Sequence, residues 1–214
     1  MKKLSVLLLL AVVTTSVYAQ NSGRSPLRFG LKAGGNLSHG SVKDDDYDNL
    51  KNKFGFGFYG GGLMEVSGPA GSKFKGQVEA LFNLHNFSSE YNYLASSITG
   101  KTTLSQISVP VMLKYFITPR FSINAGPSVN FNLAGKTKVE TEILSGVVNK
   151  SELDLKDLDA LQTIQIGALA GATFYIHKGF FVDARYNYYF GSALKDDYGK
   201  LNVSAIQLGL GYKF

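Results

Sequence analysis

The feature that most constrains this chain is an alternation of apolar and polar residues with period two that returns along most of its length. Between Phe121 and Leu133 the apolar set Phe121, Ile123, Ala125, Val129, Phe131 and Leu133 interleaves with Ser122, Asn124, Gly126, Ser128, Asn130 and Asn132. A strand sends successive side chains to opposite faces, whereas a helix would scatter both sets around its axis, so the pattern predicts strands with one apolar and one polar face. Eight such segments are legible, at Arg28–Ser38, Phe54–Val66, Phe74–Phe87, Leu104–Ile117, Phe121–Leu133, Leu161–Ile176, Phe180–Gly191 and Asn202–Phe214. Each is long enough to cross hydrocarbon as a tilted strand, which takes about 9–11 residues.

The connections alternate in length. Ser67–Lys73, Thr118–Arg120 and His177–Gly179 are short, while His39–Lys53, Ser88–Thr103, Ala134–Ala160 and Ser192–Leu201 are long and polar. In a meander every other connection lies at the same end, which gives the short periplasmic turns and long outer loops of bacterial outer-membrane barrels. Alternation alone leaves open whether the apolar face is buried, as in a lipocalin-like barrel, or meets lipid. Three features favour lipid: a polar face made mostly of Gly, Asn, Ser and Gln, the lack of the Trp expected early in a lipocalin, and aromatic residues near strand ends (Phe54, Phe56, Tyr115, Phe116, Phe121, Phe180, Tyr188, Phe190, Tyr212, Phe214), where interfacial girdles would lie. The expectation is an all-β chain, an eight-stranded antiparallel up-and-down transmembrane β-barrel in the outer membrane of a Gram-negative cell, with Phe131 and Ile166 outward near mid-membrane.

Lys2 and Lys3, the apolar Leu4–Val13 and the small-residue pattern Val17-Tyr18-Ala19 have the form of a cleavable export signal. The expected organisation is a signal peptide at 1–19, a short periplasmic segment at 20–27 and the barrel domain at 28–214, with Gln20 as the mature amino terminus. The chain has no Cys, which excludes disulfides, thiol catalysis and Cys-based zinc sites. Its formal charge of +6 is dispersed, and two of the lysines belong to the signal. Nucleic acid, which calls for a basic face or run, is not an expected partner; anionic lipid headgroups are the more natural one.

Gly30-Leu-Lys-Ala-Gly-Gly-Asn-Leu-Ser38, Ile107-Ser-Val-Pro-Val-Met-Leu-Lys-Tyr115, Gly126-Pro127, Asp183-Ala-Arg-Tyr186 and Leu208-Gly-Leu-Gly-Tyr-Lys-Phe214, in this order and spacing, resemble the PorT-like outer membrane protein β-barrel family common in Bacteroidetes. The likeness covers essentially the whole mature chain. It implies an eight-stranded barrel inserted by the outer-membrane assembly machinery, with the terminal Phe214 as the aromatic end which that machinery reads. It implies no specific activity, although the founding member is tied to a protein-secretion system.

With the apolar face in lipid, Lys32, Glu65, Lys75, Glu79, Lys114, Asp183, Arg185 and Lys213 point into the lumen. Charges of both signs in one narrow barrel should pair, because an unpaired buried charge costs several kcal/mol. They read either as an ion path gated by breaking the pairs or as a structural network, and the second is preferred because barrels of this size are filled by side chains. A rim-sited enzyme would need a nucleophile, base and orienter in reach of one another. The candidates are His39 with Ser38 and Ser41, and His85 with Ser88 and Ser89, but parity turns His39 to lipid and His85 inward. The Asp44-Asp45-Asp46-Tyr47-Asp48 run has Asn49 and Gly55 where an EF-hand loop requires Gly and Glu, and reads as a solvated loop. His177 reads as a surface residue of a tight turn, and the glycines from Gly55 to Gly62 contain no phosphate-binding loop. The functional expectation is a structural or interaction barrel without catalysis, metal or cofactor, its long loops facing other envelope proteins. A narrow channel for small solutes is the alternative, and a rim-sited enzyme comes third.

Overall fold

The computed structural model describes residues 27–43, 50–93, 96–143, 148–155, 157–195 and 200–214; the export signal and the Asp44–Asp48 run lie outside them. Nine strands follow in order: β1 (Leu27–Lys43), β2 (Leu50–Ser67), β3 (Phe74–Tyr93), β4 (Ser96–Thr118), β5 (Phe121–Ile143), β6 (Val148–Asp154), β7 (Ile164–His177), β8 (Phe180–Phe190) and β9 (Lys200–Lys213). All described pairings are antiparallel, β7 pairs with β5, and β9 pairs back to β1 from Gly30↔Lys213 to Lys43↔Lys200. Eight strands thus close a ring. β6 stands outside it, bonded to the upper part of β5 alone among the described strands.

Burial is inverted relative to a soluble barrel. On β8 the residues Phe181, Asp183, Arg185, Asn187 and Tyr189 are buried in the lumen, while Phe180, Tyr186, Tyr188 and Phe190 are exposed on the outside. The same holds around the ring: exposed large residues such as Leu31, Val111, Ile166 and Leu208 are apolar, and the lumen holds Lys, Glu, Asn, Gln and Ser. An exposed apolar belt on every stave has no counterpart in a water-soluble monomer, and it matches the outward band of about 25 Å found on membrane barrels.

Two sequence expectations about the strands need correction. The staves β1 to β5 run further towards the loop end than apolar alternation indicated, and Ala134–Ala160 is not one irregular loop: its first part continues β5 and a second part returns as β6. Above the band both faces of the sheet are wet, so the strands there are built from Thr, Lys and Glu with ionic and hydroxyl cross-strand pairs, and hydropathy carries no period. Lys53–Glu90 at 2.6 Å, Lys101–Glu140 at 3.3 Å and Thr102–Thr137 at 3.1 Å are such pairs. A register shift leaves Leu133 unpaired opposite Ser105 and Gln106, which turns Lys136 and Lys138 outward and Gly135 inward. The second correction concerns depth: Phe131 pairs with Ile164, the first residue of β7, and Ile166 pairs with Phe190, the last of β8, so both lie near the loop-end edge of the band and not at its middle.

At the other end the connections are tight. Gly68–Lys73, Pro119–Arg120 and Lys178–Gly179 join their strands, the last with both residues at positive φ, 39° and 93°. That is the backbone of a two-residue hairpin matched to strand twist.

Candidate functional site

Alternation, carried around a closed ring, stacks the inward side chains in layers. Nearest the turns, Glu65 on β2 is surrounded by three lysines: Lys75 at 3.1 Å, Lys114 at 3.9 Å, and Lys213 in direct contact. Tyr175 on β7 joins them, its hydroxyl 3.3 Å from Glu65 Oε2 and accepting from Lys114 at 3.1 Å and Lys213 at 2.6 Å. One layer further in, Lys32 Nζ lies 2.6 Å from Asp183 Oδ1 and 3.5 Å from Glu79 Oε1. Arg185 donates Nη1 and Nη2 to the two Glu79 oxygens at 2.7 and 3.0 Å, and Nε to Asp183 Oδ1 at 2.9 Å. The bidentate fork is the strongest geometry available to such a pair. Gln77 stitches the layers, accepting from Lys114 and Lys213 and donating to Glu79, and Thr173 does the same between Lys114 and Asp183.

All eight inward charges named from the sequence therefore sit in two contiguous clusters, Lys75 at the mouth and the others buried. Gln77, Thr173 and Tyr175 were not named, although each has the parity of its charged neighbours. Phe214 is on the outer face at the turn end, its N–H donating to Phe29 O at 2.9 Å and its ring 5.5 Å from that of Tyr212.

Above the charges runs an amide layer with one direction of donation: Gln207 to Asn83, Asn83 to Ser108, Ser108 to Gln106, Gln106 to Asn132 and Asn132 to Gln165, at 2.8 to 3.2 Å. A small cavity of about 10 Å³, lined by Asn130, Asn187, Arg185 and Tyr189 among others, lies in it. Asn130 Oδ1 and Asn187 Nδ2 are buried without a protein partner. An acceptor and a donor beside a space of this size are what one water satisfies.

His85 is buried in the next layer and meets Ser38 across strands, not Ser88 or Ser89. Ser38 Oγ donates to Asn36 Oδ1 at 2.8 Å, an atom that can only accept. The 2.7 Å contact between Ser38 Oγ and His85 Nδ1 then has the imidazole as donor, and Tyr189 O–H donates to Nε2 at 3.3 Å. With its Nε2 taken and its Nδ1 proton given, His85 is not poised to deprotonate Ser38 in this arrangement. His39 faces outward against Phe54, ring centroids 4.9 Å apart.

The loop end of the lumen is apolar. Phe87, Leu104, Tyr189, Leu201 and Val203 from the staves pack with Leu161 and Ala193 from the connections. Those connections are tied across the mouth by the Leu161↔Leu194 bridge, Gln162 N to Ala193 O at 2.8 Å and Lys195 N to Ala160 O at 2.9 Å. The alternation assigns Leu161 to the start of a strand, but β7 begins at Ile164 and Leu161 packs into this lid, because alternation within one segment carries no signal of a contact between two connections.

A closed eight-stranded ring with an apolar exterior and a charged, packed interior defines a small integral barrel of the bacterial outer membrane. Residues 18–195 match the outer membrane protein β-barrel domain family, and the chain belongs to it. No curated protein matches. Among solved structures, Neisserial surface protein A is similar over 87% of this chain and 97% of that one, at 15% identity and a TM-score of 0.52. The attachment invasion locus protein Ail of Yersinia pestis, solved with the heparin analogue sucrose octasulfate, is similar over 88% and 99% at 19% identity, with a TM-score of 0.48. OprG of Pseudomonas aeruginosa is similar over 87% and 95% at 12% identity, with a TM-score of 0.40. At these identities the likeness is one of fold.

Proposed function

We propose that this protein is a non-catalytic structural or interaction barrel whose contact surface stands on the outer side of the membrane. The observation that carries this is the distribution of material. The lumen is filled by two charged clusters, an amide layer and an apolar lid, which argues against a transport path, while β2 to β6 rise beyond the apolar band as a continuous sheet with charged faces. A rigid sheet presented outside is suited to recognition. The turn end is then periplasmic, residues 1–19 are removed on export, 20–27 lead into the barrel at 28–214, and Phe214 serves recognition by the assembly machinery. The motifs from Gly30 to Phe214 support a PorT-like assignment within the family. No cofactor enters this reading.

The test is affinity capture from native outer membranes with the parent and with a variant in which 139–151 are replaced by a two-residue Asn-Gly turn. The expected result is an envelope protein held by the parent and lost with the hairpin, from a variant that still folds. Steady ion-selective conductance of the parent in planar bilayers would overturn the reading in favour of a channel.

A further inference from the structure

Charge outside the lumen is segregated by end. Among the described residues, every acid outside the lumen lies at the loop end: Glu90, Glu140, Glu142, Glu152, Asp154, Asp157 and Asp159. Among the described residues, the exposed charged side chains of the turn end are all cations. Each of its four corners has one exposed: Arg28 where β1 begins beside the end of β9, Lys73 before β3, Arg120 before β5 and Lys178 before β8. The one acid nearby, Glu65, is buried and already bound by Lys75, Lys114 and Lys213. None of the four rim cations makes an ion pair among the described residues.

Their depth is fixed by the tight turns. Arg28, Lys73 and Arg120 each directly precede a ring residue of the outer face, Phe29, Phe74 and Phe121, and Lys178 is two residues before Phe180. Aromatic rings of this kind mark the boundary between hydrocarbon and headgroups. Lys73, Arg120 and Lys178, which lie in the turns, therefore stand at the level of lipid phosphates, with no loop that would lift them towards a soluble partner, while Arg28, the cross-strand partner of Glu65, faces the lumen mouth. Lys178 adds an independent observation. Its φ of 39° is a left-handed conformation that Asn or Gly adopts more easily. A cation held at a backbone position that disfavours it is consistent with use of the charge.

We propose that this rim is a docking collar for the phosphate groups of anionic phospholipids in the leaflet at the turn end, which is the periplasmic leaflet on the orientation proposed above. A cation at a membrane surface attracts anionic lipid with about 1 kcal/mol, or roughly fivefold, per residue. The arginines add bidentate donors to phosphate. The collar would fix the depth of the barrel and gather anionic lipid around its periplasmic end.

The experiment uses the full mature protein in nanodiscs of three parts phosphatidylcholine to one part phosphatidylglycerol, with native mass spectrometry of the lipids retained on release. Phosphatidylglycerol should be enriched over the bulk ratio for the parent, and the enrichment should fall at least tenfold for Lys73→Gln/Arg120→Gln/Lys178→Gln. A loop-end control, Lys101→Gln/Lys136→Gln/Lys138→Gln, should keep it. Release after washing the parent nanodiscs in 0.5 M salt gives a readout free of any folding defect, and the enrichment should disappear there too. A parent without enrichment, a collar variant that keeps it or a loop-end variant that loses it overturns the proposal; the first result would leave the rim to an acidic periplasmic protein. Orientation is tested separately. Because the chain has no Cys, Lys178→Cys should resist an impermeant maleimide in intact cells, and labelling there would refute the periplasmic assignment while the nanodisc result stood.

Discussion

At the scale of single residues, the lumen turns on the balance around Arg185. Its guanidinium holds both oxygens of Glu79 and one of Asp183, and Lys32 reaches the same two acids, so the cluster contains two charges of each sign. Arg185→Ala leaves two buried carboxylates with one ammonium. Removing one partner of a buried pair costs about 3–5 kcal/mol, whereas replacing both by apolar residues is often neutral. Arg185→Met/Glu79→Met keeps the Lys32–Asp183 pair intact and should be less destabilised than Arg185→Ala. Urea titration of folding into bilayers, read by gel mobility, gives both values. A double variant as unstable as the single would show that the fork contributes through geometry and not through charge balance. A different kind of constraint operates at Gly211, where a Cβ would strike the Phe181 ring seated against the backbone. Gly211→Val should cost about 1–3 kcal/mol by overpacking, and Gly211→Val/Phe181→Leu should recover part of it in the same assay.

At the scale of elements, each stave has a depth as well as a face. Leu208 on β9 is 61% exposed and lies opposite Gly35 and Ala184, away from both girdles. Leu208→Arg should cost about 2–4 kcal/mol of folding in lipid, and a cost near zero would mean that this face does not meet hydrocarbon. The β5–β6 hairpin stands beyond the band, so replacing 139–151 by Asn-Gly should leave the urea midpoint unchanged. Period two made the staves legible because each band residue faces either lipid or a packed lumen, and the two environments select opposite chemistry. It made the eight inward charges legible for the same reason. Where the sheet leaves the band the selection vanishes, and with it the loop-end extensions of β1 to β5 and the whole of β6. Leu161 and Ala193 were illegible for another reason: their burial comes from two connections meeting over the mouth, and neither segment has a period that announces the other.

At the scale of the whole molecule, the lumen is closed twice by unlike means. Near the turns the closure is ionic, with Arg185, Lys32, Glu79 and Asp183 below the Asn130–Asn187 cavity and Glu65 with its three lysines beneath them. At the loop end it is apolar, with Leu161 and Ala193 lying over Phe87, Leu104 and Val203. Water can occupy the cavity between them. Two closures in series have a consequence that neither has alone, since current flows only when both are open. In planar bilayers the parent should show no steady conductance. Leu161→Asn hydrates the lid but leaves the ionic layer, and Arg185→Ala loosens the ionic layer but leaves the lid, so each single variant should also stay silent apart from brief flickers. The double variant should conduct, with an effect far larger than the sum of the two. If Arg185→Ala alone gives steady current, the lid is not a seal; if the double variant is silent while still folded by gel mobility, a layer that neither substitution touches, the amides between Gln207 and Gln165 or the lysines around Glu65, is itself sufficient to hold the barrel shut.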